Sequence, residues 1–258
     1  MMDTQKVYLS LLKKYGPQGW WPLFITQNTG NKTHSDWRTE NGLVYGLPYA
    51  KLKNYRTKFR DPYFEIAVGA ILTQNTAWKN AATAIINLCE AKALTPQKLL
   101  KLPTVKLQKL IRPAGYFRQK TKKLKLFCQW LIKDCEGDLL KLKRYEIGDM
   151  RYRLLEQWGI GRETADSIIL YALNKPIFVI DEYTRRLCRH YGVEFKEYDE
   201  YRKFFEKTFL KQDCSKQKLT KIFQEYHGLI VKWGKLTPNP SLGKRGEARR
   251  RAQRRGVG

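Results

Sequence analysis

Apolar residues recur at helical spacing along most of this chain, and the strict alternation typical of strands is rare. Val7, Leu11 and Leu12 predict a first helix that ends near Gly16. Asp61 followed by Pro62 is typical of an N-cap with proline at the first helical position. Further helices are predicted from Thr95-Pro96 onward and over residues 77–91, 104–111, 118–133, 151–157, 162–173, 181–191, 201–210 and 219–233. The pattern therefore predicts an all-α fold.

Two stretches lack this periodicity. Residues 26–60 are rich in Asn, Gly, Thr and Tyr, which predicts a long loop or insertion with at most short extended pieces. After Pro240 the chain becomes polar and arginine-rich, so residues 238–258 are expected to form a basic, disordered tail.

Charge is the first functional signal. The chain carries 50 Lys and Arg against 24 Asp and Glu, a formal charge of +26. Such an excess attracts polyanions, and a nucleic acid is the partner that it favours. An acidic membrane surface, or simply a lysine-rich proteome, is the alternative that composition leaves open.

The five cysteines are scattered and show no CxxC pair; they are Cys89, Cys128, Cys135, Cys188 and Cys214. This pattern predicts reduced intracellular thiols rather than a disulfide framework or a zinc site. The N-terminus has no signal-peptide pattern, and no apolar run is long enough to span a bilayer. We therefore expect a cytoplasmic protein with no membrane partner.

A glycine turn, Gly159-Ile160-Gly161, separates two predicted helices. Glycine permits a tight hairpin and lets a ligand approach the main chain closely. Because a helix starts at once with Arg162 and Thr164, its unpaired N–H groups and positive dipole end would suit a DNA phosphate. An ordinary helix–helix turn without a ligand is the alternative.

An acidic residue, Asp181, follows the apolar run 177–180 and precedes a predicted helix. Taken alone, it is typical of an N-cap. Taken together, GIGRETAD at 159–166 and VIDEYTRR at 179–186 resemble the helix-hairpin-helix (HhH-GPD) DNA glycosylases of the endonuclease III family. Residues 61–235 share the resemblance.

The resemblance implies a DNA-repair enzyme that swings a damaged nucleotide out of double-stranded DNA. Asp181 would then be the catalytic carboxylate, which stabilises positive charge on the sugar and orients or deprotonates a water. The segment with Gln74 and Asn75 resembles the one that fills the space left by the flipped nucleotide. The segment with Gly115 and Lys120 resembles the family's loop on the DNA side.

Two departures from the family matter. Bifunctional members carry a lysine where this chain has Glu163, and a carboxylate cannot form a Schiff base. We therefore expect a monofunctional enzyme without strong lyase activity, with Glu163 either assisting water activation or simply lying on the surface. Many members of the family bind an iron–sulfur cluster through four cysteines near the C-terminus, whereas no cysteine follows Cys214 in this sequence. We therefore expect no iron–sulfur cluster, no other metal and no cofactor. His227 is expected to make a structural hydrogen bond.

The lesion is suggested by Trp20, Trp21, Pro22 and Trp78, which resemble the 3-methyladenine branch of the family, where aromatic rings sandwich the base. Electron-poor, positively charged alkylpurines stack well on indole. Tryptophans that only fill the core are the alternative here. Two other functions stay open: a glycosylase for a deaminated, mismatched or oxidised base, and a non-catalytic DNA-binding module.

We expect two helical lobes with the active site in the cleft between them. Residues 61–175 would form the central lobe, with the helix-hairpin-helix at 151–173. Residues 1–60 and 176–237 would form the other lobe. We expect a monomer, which would be associated with the nucleoid in a prokaryote.

Overall fold

The computed structural model describes residues 2–24, 38–40, 43–210 and 214–237. Most of the predicted insertion's first half and the whole basic tail lie outside these residues. Within them the chain is mostly helical, as predicted. The helices are α1 Thr4–Tyr15, α2 Pro62–Leu72, α3 Trp78–Glu90, α4 Pro96–Lys101, α5 Thr104–Ile111, α6 Phe117–Cys135, α7 Ile147–Leu155, α8 Arg162–Ser167, α9 Glu182–His190, α10 Tyr198–Leu210 and α11 Lys216–Leu236.

The helix starts follow from local capping. Asp3 caps α1, and Asp61 Oδ1 accepts from Tyr63 N at 2.9 Å at the start of α2. Thr95 and Ser215 cap α4 and α11 in the same way. Helix α8 is short because it passes into a π-helical segment, Ile168–Ala172. Tighter 3₁₀ turns occupy Tyr49–Tyr55, Arg112–Ala114 and Leu139–Arg144.

A small antiparallel sheet is the departure from an all-α fold. Its strands are β1 Leu23–Phe24, β2 Arg38–Glu40 and β3 Leu43–Tyr45, in the order β1-β3-β2. Val44 pairs with both Leu23 and Thr39. Glu65, buried on α2, anchors the sheet by accepting from Phe24 N at 2.8 Å.

Helix α2 is buried along its whole length and packs against α3, α6, α8 and the π-helical segment. A second set of helices packs together around α11, which contacts both α1 and α9. The π-helical segment touches α2 and α11 and so joins the two sets. Strand β1 and the 3₁₀ turn at Tyr49–Tyr55, which were expected in the other lobe, contact α2. The division into two lobes stays a prediction. No helix among the described residues is both long and apolar enough to cross a bilayer.

Candidate active site

The glycine turn between α7 and α8 has one inward and one outward glycine. Gly159 has a φ of +81°, and the side chain of Lys123 occupies the space that a Cβ would need there. Gly161, directly before α8, would place a Cβ where no described atom lies within 4 Å. Ile160 between them is buried. The turn is therefore anchored on one side and open on the other.

Gln74 joins this turn to the end of α2. Its Nε2 donates to Gly159 O at 3.0 Å and to Thr164 Oγ1 at 2.8 Å, and its Oε1 accepts from Lys123 Nζ. Thr164 is buried, so its hydroxyl serves this contact. Asn75, the next residue, is exposed in the left-handed region at φ +52°. In this structure Gln74 braces the hairpin, and only Asn75 projects from it.

The loop at Gly115 corrects one expectation. Gly115 has a φ of +67° and open space beside it, and Tyr116 next to it is 66% exposed. Lys120, in contrast, is 2% exposed and donates to Leu72 O and Ala114 O, each at 2.8 Å. Burial, and then the charge of Lys123, lower the pKa of Lys120 to about 8. Lys120 therefore holds the loop from inside and cannot contact DNA as expected.

Arg162, at the first position of α8, is exposed but not isolated. Its guanidinium lies 3.4 Å from Glu197 Oε2 and 3.5 Å from Asp199 Oδ2. Part of its charge is therefore already balanced, and a DNA contact by Arg162 stays a prediction.

Asp181 is both the N-cap of α9 and an accessible acid. Its Oδ1 accepts from Thr184 N at 2.7 Å and from Thr184 Oγ1 at 2.9 Å, and its side chain is 14% exposed. Burial raises the pKa of this carboxyl, but the contact with His227 and the bonds from Thr184 outweigh burial. The net pKa lies below its ordinary value. The cap thus keeps a partly open carboxylate ionised.

His227 lies behind this carboxylate. Its Nδ1 is 2.7 Å from Tyr171 Oη, which confirms the expected structural hydrogen bond. Its Nε2 is 3.6 Å from Asp181 Oδ2, a contact that the sequence did not reveal. Forty-six residues separate these two side chains in the sequence, so only the folded chain brings them together.

Glu163 lies at the position of the family lysine and is exposed to solvent. The negative charge of Asp181 nevertheless affects its ionisation. Partial desolvation of its carboxyl, and next the charge of Asp181, raise the pKa of Glu163 to about 7, against the opposing effects of His227 and Arg185. The charge of Asp181 therefore contributes to the raised pKa of Glu163. Water activation by Glu163 and a simple surface position both stay predictions.

The three expected tryptophans do come together, but not as a sandwich. The ring centroids of Trp20, Trp21 and Trp78 lie 5.2–5.7 Å apart, at interplanar angles of 52–90°. Rings in such contact leave no parallel, base-wide gap between them. Pro22 is buried and lines no open surface. The expectation of a base held between two of these rings is therefore corrected.

This aromatic cluster adjoins the acid. Trp21 lies 5.2 Å from Tyr171, and Trp20 lies 6.4 Å from His227, measured between ring centroids. Gly228 on α11 lets Trp20 approach, since a Cβ there would lie 2.8 Å from the indole. The rings are therefore one side chain away from Asp181.

A cavity of about 560 Å³ opens on another side of Trp20 and Trp78. It lies among α3, α11 and the strands, and Glu40, Lys79, Lys232 and Lys235 contribute charge to its lining. Asp181 and His227 do not line it, and Trp20 lies between this cavity and His227. No group of three or more metal-binding side chains occurs in the described parts of the chain.

The chain resembles known proteins along most of its length. The sequence model of the HhH-GPD superfamily of base excision DNA repair proteins matches residues 68–211. A candidate DNA repair glycosylase of Methanocaldococcus jannaschii is 35% identical over 230 residues, which are 88% of this chain and 84% of that protein. Endonuclease III of Thermotoga maritima is 28% identical over 135 residues, which are 52% of this chain and 59% of that enzyme.

Solved structures agree in fold. The H. pylori 3-methyladenine DNA glycosylase bound to 1,N6-ethenoadenine has a TM-score of 0.65 at 25% identity, and the match covers 92% of this chain and 100% of that one. An endonuclease III–DNA complex has a TM-score of 0.56 at 19% identity, and the match covers 90% of this chain and 86% of that one. Given the hairpin, the carboxylate after it and these matches, the chain belongs to the HhH-GPD superfamily of base excision DNA repair proteins.

Proposed function

We propose that this protein is a monofunctional DNA glycosylase that hydrolyses the N-glycosidic bond of an extruded alkylated purine. The observation that carries the proposal is the ionised, partly exposed carboxylate of Asp181, fixed beside an aromatic cluster in an HhH-GPD fold. The enzyme would act as a monomer on double-stranded DNA.

The chemistry follows from this placement. A glycosidic bond inside a duplex is inaccessible, so the nucleotide must first leave the stack. As the base departs, positive charge develops on the sugar, and a fixed carboxylate stabilises that charge. Asp181 Oδ1 is occupied by Thr184, so Oδ2 is the oxygen that would face the sugar and its attacking water.

DNA would bind across the open side of the hairpin. The main chain at Gly161 is unobstructed, Asn75 is exposed, and Gly115 and Tyr116 form another exposed turn. Main-chain N–H groups at such turns suit phosphate oxygens, and the chain's charge of +26 adds non-specific attraction.

The substrate class rests on the aromatic cluster and on one relative. The H. pylori enzyme is named a 3-methyladenine glycosylase and is bound to 1,N6-ethenoadenine. Here the base would stack on a single face of Trp20 or Trp78 at the cavity, since no gap separates the rings. Exposed lysines of the cavity would meet the neighbouring phosphates.

Release of bases from methylated duplex DNA tests the proposal. Wild-type protein should release 3-methyladenine, and Asp181→Asn should reduce the rate at least about 100-fold, the scale of removing one transition-state charge contact. Binding to DNA that contains an abasic-site analogue should persist in the variant, which controls for folding. Release only from uracil-, mismatch- or 8-oxoguanine-containing duplexes would instead favour a different lesion. Tight binding without release from any duplex would favour a non-catalytic module.

Absence of lyase chemistry is tested separately. With Glu163 in the lysine position no imine can form there. Borohydride should therefore trap no covalent adduct between the wild-type protein and damaged DNA. Glu163→Lys supplies the missing amine and is the matched positive control. Efficient trapping of the wild-type protein would contradict the monofunctional assignment.

A further inference from the structure

The two oxygens of the Asp181 carboxylate have unequal partners. Oδ1 accepts two hydrogen bonds from Thr184, which fix its position. Oδ2 faces Nε2 of His227 at 3.6 Å, an ion-pair separation slightly longer than a hydrogen bond. The oxygen that would face the substrate is therefore the one that His227 controls.

His227 is built into this position. Its side chain is 5% exposed, its Nδ1 is held 2.7 Å from Tyr171 Oη, and its ring lies against Trp20. Within the described residues Nε2 is buried and has no hydrogen-bond partner. A buried polar atom without a partner is costly, so one that points at a carboxylate calls for a functional explanation.

The hydrogen positions around the ring lead to one answer. If the Tyr171 hydroxyl donates to Nδ1, a neutral imidazole carries its hydrogen on Nε2. If the hydroxyl donates to Gln224 O, 3.2 Å away, then Nδ1 must donate to the hydroxyl oxygen. A neutral ring would then turn the lone pair of Nε2 toward Asp181 Oδ2, and two acceptors repel each other. The first arrangement therefore fits the contact, and it presents Nε2–H to Asp181.

We infer that His227, braced by Tyr171, is a positioning residue that orients Oδ2 of Asp181 and keeps this carboxylate ionised when bound DNA displaces water. The inference rests on the proposed function. Because a docked nucleotide would desolvate Asp181, a fixed donor behind it preserves the charge that stabilises the sugar.

The ionisable groups around His227 come from four elements. Asp181 belongs to the start of α9, Glu163 to α8, Tyr171 to the π-helical segment and Glu225 to α11 itself. Glu225 accepts from the main chain of residues 18 and 19 and so holds the segment before Trp20. Asp181 is the carboxylate that Nε2 faces.

A titration of the Asp181 carboxyl tests the inference without requiring activity. Protein labelled with ¹³C at aspartate carboxyl groups is followed by NMR, and the Asp181 signal is assigned by its loss in Asp181→Asn. In His227→Phe, which keeps a ring but no donor, Asp181 should titrate about one pH unit higher than in the wild-type protein. His227→Gln restores an N–H donor without charge and should fall between the two. An unchanged midpoint in His227→Phe would overturn the inference.

Tyr171→Phe is the second variant, in case His227→Phe does not fold. It removes the brace on Nδ1 and leaves the imidazole, so the Asp181 midpoint should move in the same direction by less. An unmoved midpoint here would show that the brace is incidental and would overturn that part of the inference.

The pH dependence of single-turnover base release tests whether the pair of His227 and Asp181 acts in the reaction. The acid limb of the wild-type profile should move to higher pH in His227→Phe, and the plateau rate should fall about tenfold with affinity for abasic-site DNA unchanged. If the normalised pH–rate profiles of wild type and His227→Phe coincide, His227 serves only the packing of the core. If the wild-type protein releases no base at all, the proposed function fails, whereas the NMR titration still decides the role of His227.

Discussion

The hairpin and the aromatic cluster each depend on a glycine, and the two glycines make room for different things. At Gly228 a Cβ would lie 2.8 Å from Trp20, so the indole of Trp20 occupies the space that a side chain would need. At Gly161 a Cβ would meet no described atom within 4 Å, so the space stays open. The first glycine shapes the aromatic cluster, and the second leaves main chain accessible from outside. The comparison separates internal packing from external recognition.

The sharpest way to break this comparison is Gly228→Ala, for which we expect the largest effect. The new methyl group must displace Trp20 or α11, and overpacking of this kind costs about 1–3 kcal/mol. The melting temperature should fall, and release of alkylated purine should slow at least about tenfold. Gly148→Ala in α7 is the matched control, because its Cβ would meet only open space. A variant at Gly228 that melts and reacts like the wild-type protein would show that Trp20 has room to spare.

Gly161→Ala should give the opposite result. The φ of Gly161 is −90°, which alanine adopts without strain, so the free energy of unfolding should stay within about 0.5 kcal/mol of wild type. Affinity for duplex DNA should fall about tenfold, since the methyl group would stand where a phosphate approaches the main chain. Fluorescence anisotropy at two salt concentrations measures this. Unchanged affinity would mean that the open space serves no ligand.

The sequence predicts the hairpin side of the molecule better than the aromatic side. The turn at 159–161 and the cap at Asp181 depend on neighbours within a few residues, and such local geometry can be inferred from residue type and spacing. The helices at 104–111 and 181–191 match within one residue for the same reason. Local patterns therefore predicted both the fold class and the cap at Asp181.

What the sequence could not predict depends on contacts between distant segments. Lys120 looks like a DNA contact until the carbonyl of Leu72, 48 residues away, is placed beside it. The dyad of His227 and Asp181 and the tilted tryptophans have the same origin. The strands of β1, β2 and β3 are only two or three residues long, too short for alternation to be recognised.

The charged residues that line the cavity should have a smaller effect, on the selectivity between neutral and cationic bases. Among the described residues, Lys79, Lys232 and Lys235 line the cavity against one acid, Glu40. Lys235 Nζ lies 5.9 Å from the centre of the Trp20 ring. These ammonium groups oppose a cationic base, although indole faces favour one. We expect neutral 1,N6-ethenoadenine to be released faster than cationic 7-methylguanine.

Lys235→Glu should shift that ratio toward the cationic base by up to about fivefold, the scale of an exposed charge interaction. Lys6→Glu on α1 changes the net charge equally and controls for weaker DNA binding. Competition between the two lesions in one duplex pool measures the ratio directly. Equal shifts in both variants would remove the cavity from the account of selectivity.

The smallest expected effect belongs to Glu163, which lies two residues after Gly161 and is affected by the charge of Asp181. Its pKa of about 7 exceeds the ordinary value of 4.5, so the folded protein holds this proton more tightly than the unfolded chain does. The folded state therefore loses stability relative to the unfolded state as pH rises from 4.5 to 7. Glu163→Gln cannot ionise and escapes that loss. Its stability relative to wild type should be higher at pH 8 than at pH 4, by a modest amount because the side chain is exposed.

Urea unfolding of both proteins at these two pH values measures the difference, and Glu156→Gln, exposed at the end of α7, controls for loss of an acidic side chain in this charge-rich protein. A pH-dependent gain found only at Glu163 would show that its carboxyl is harder to ionise in the folded protein, through partial desolvation and the charge of Asp181. The open side of the hairpin and Asp181 would then share one electrostatic environment. The same pH dependence in both variants would instead show that the Glu163 carboxyl ionises as a solvent-exposed group. The glycine turn and Asp181 would then be linked only through bound DNA.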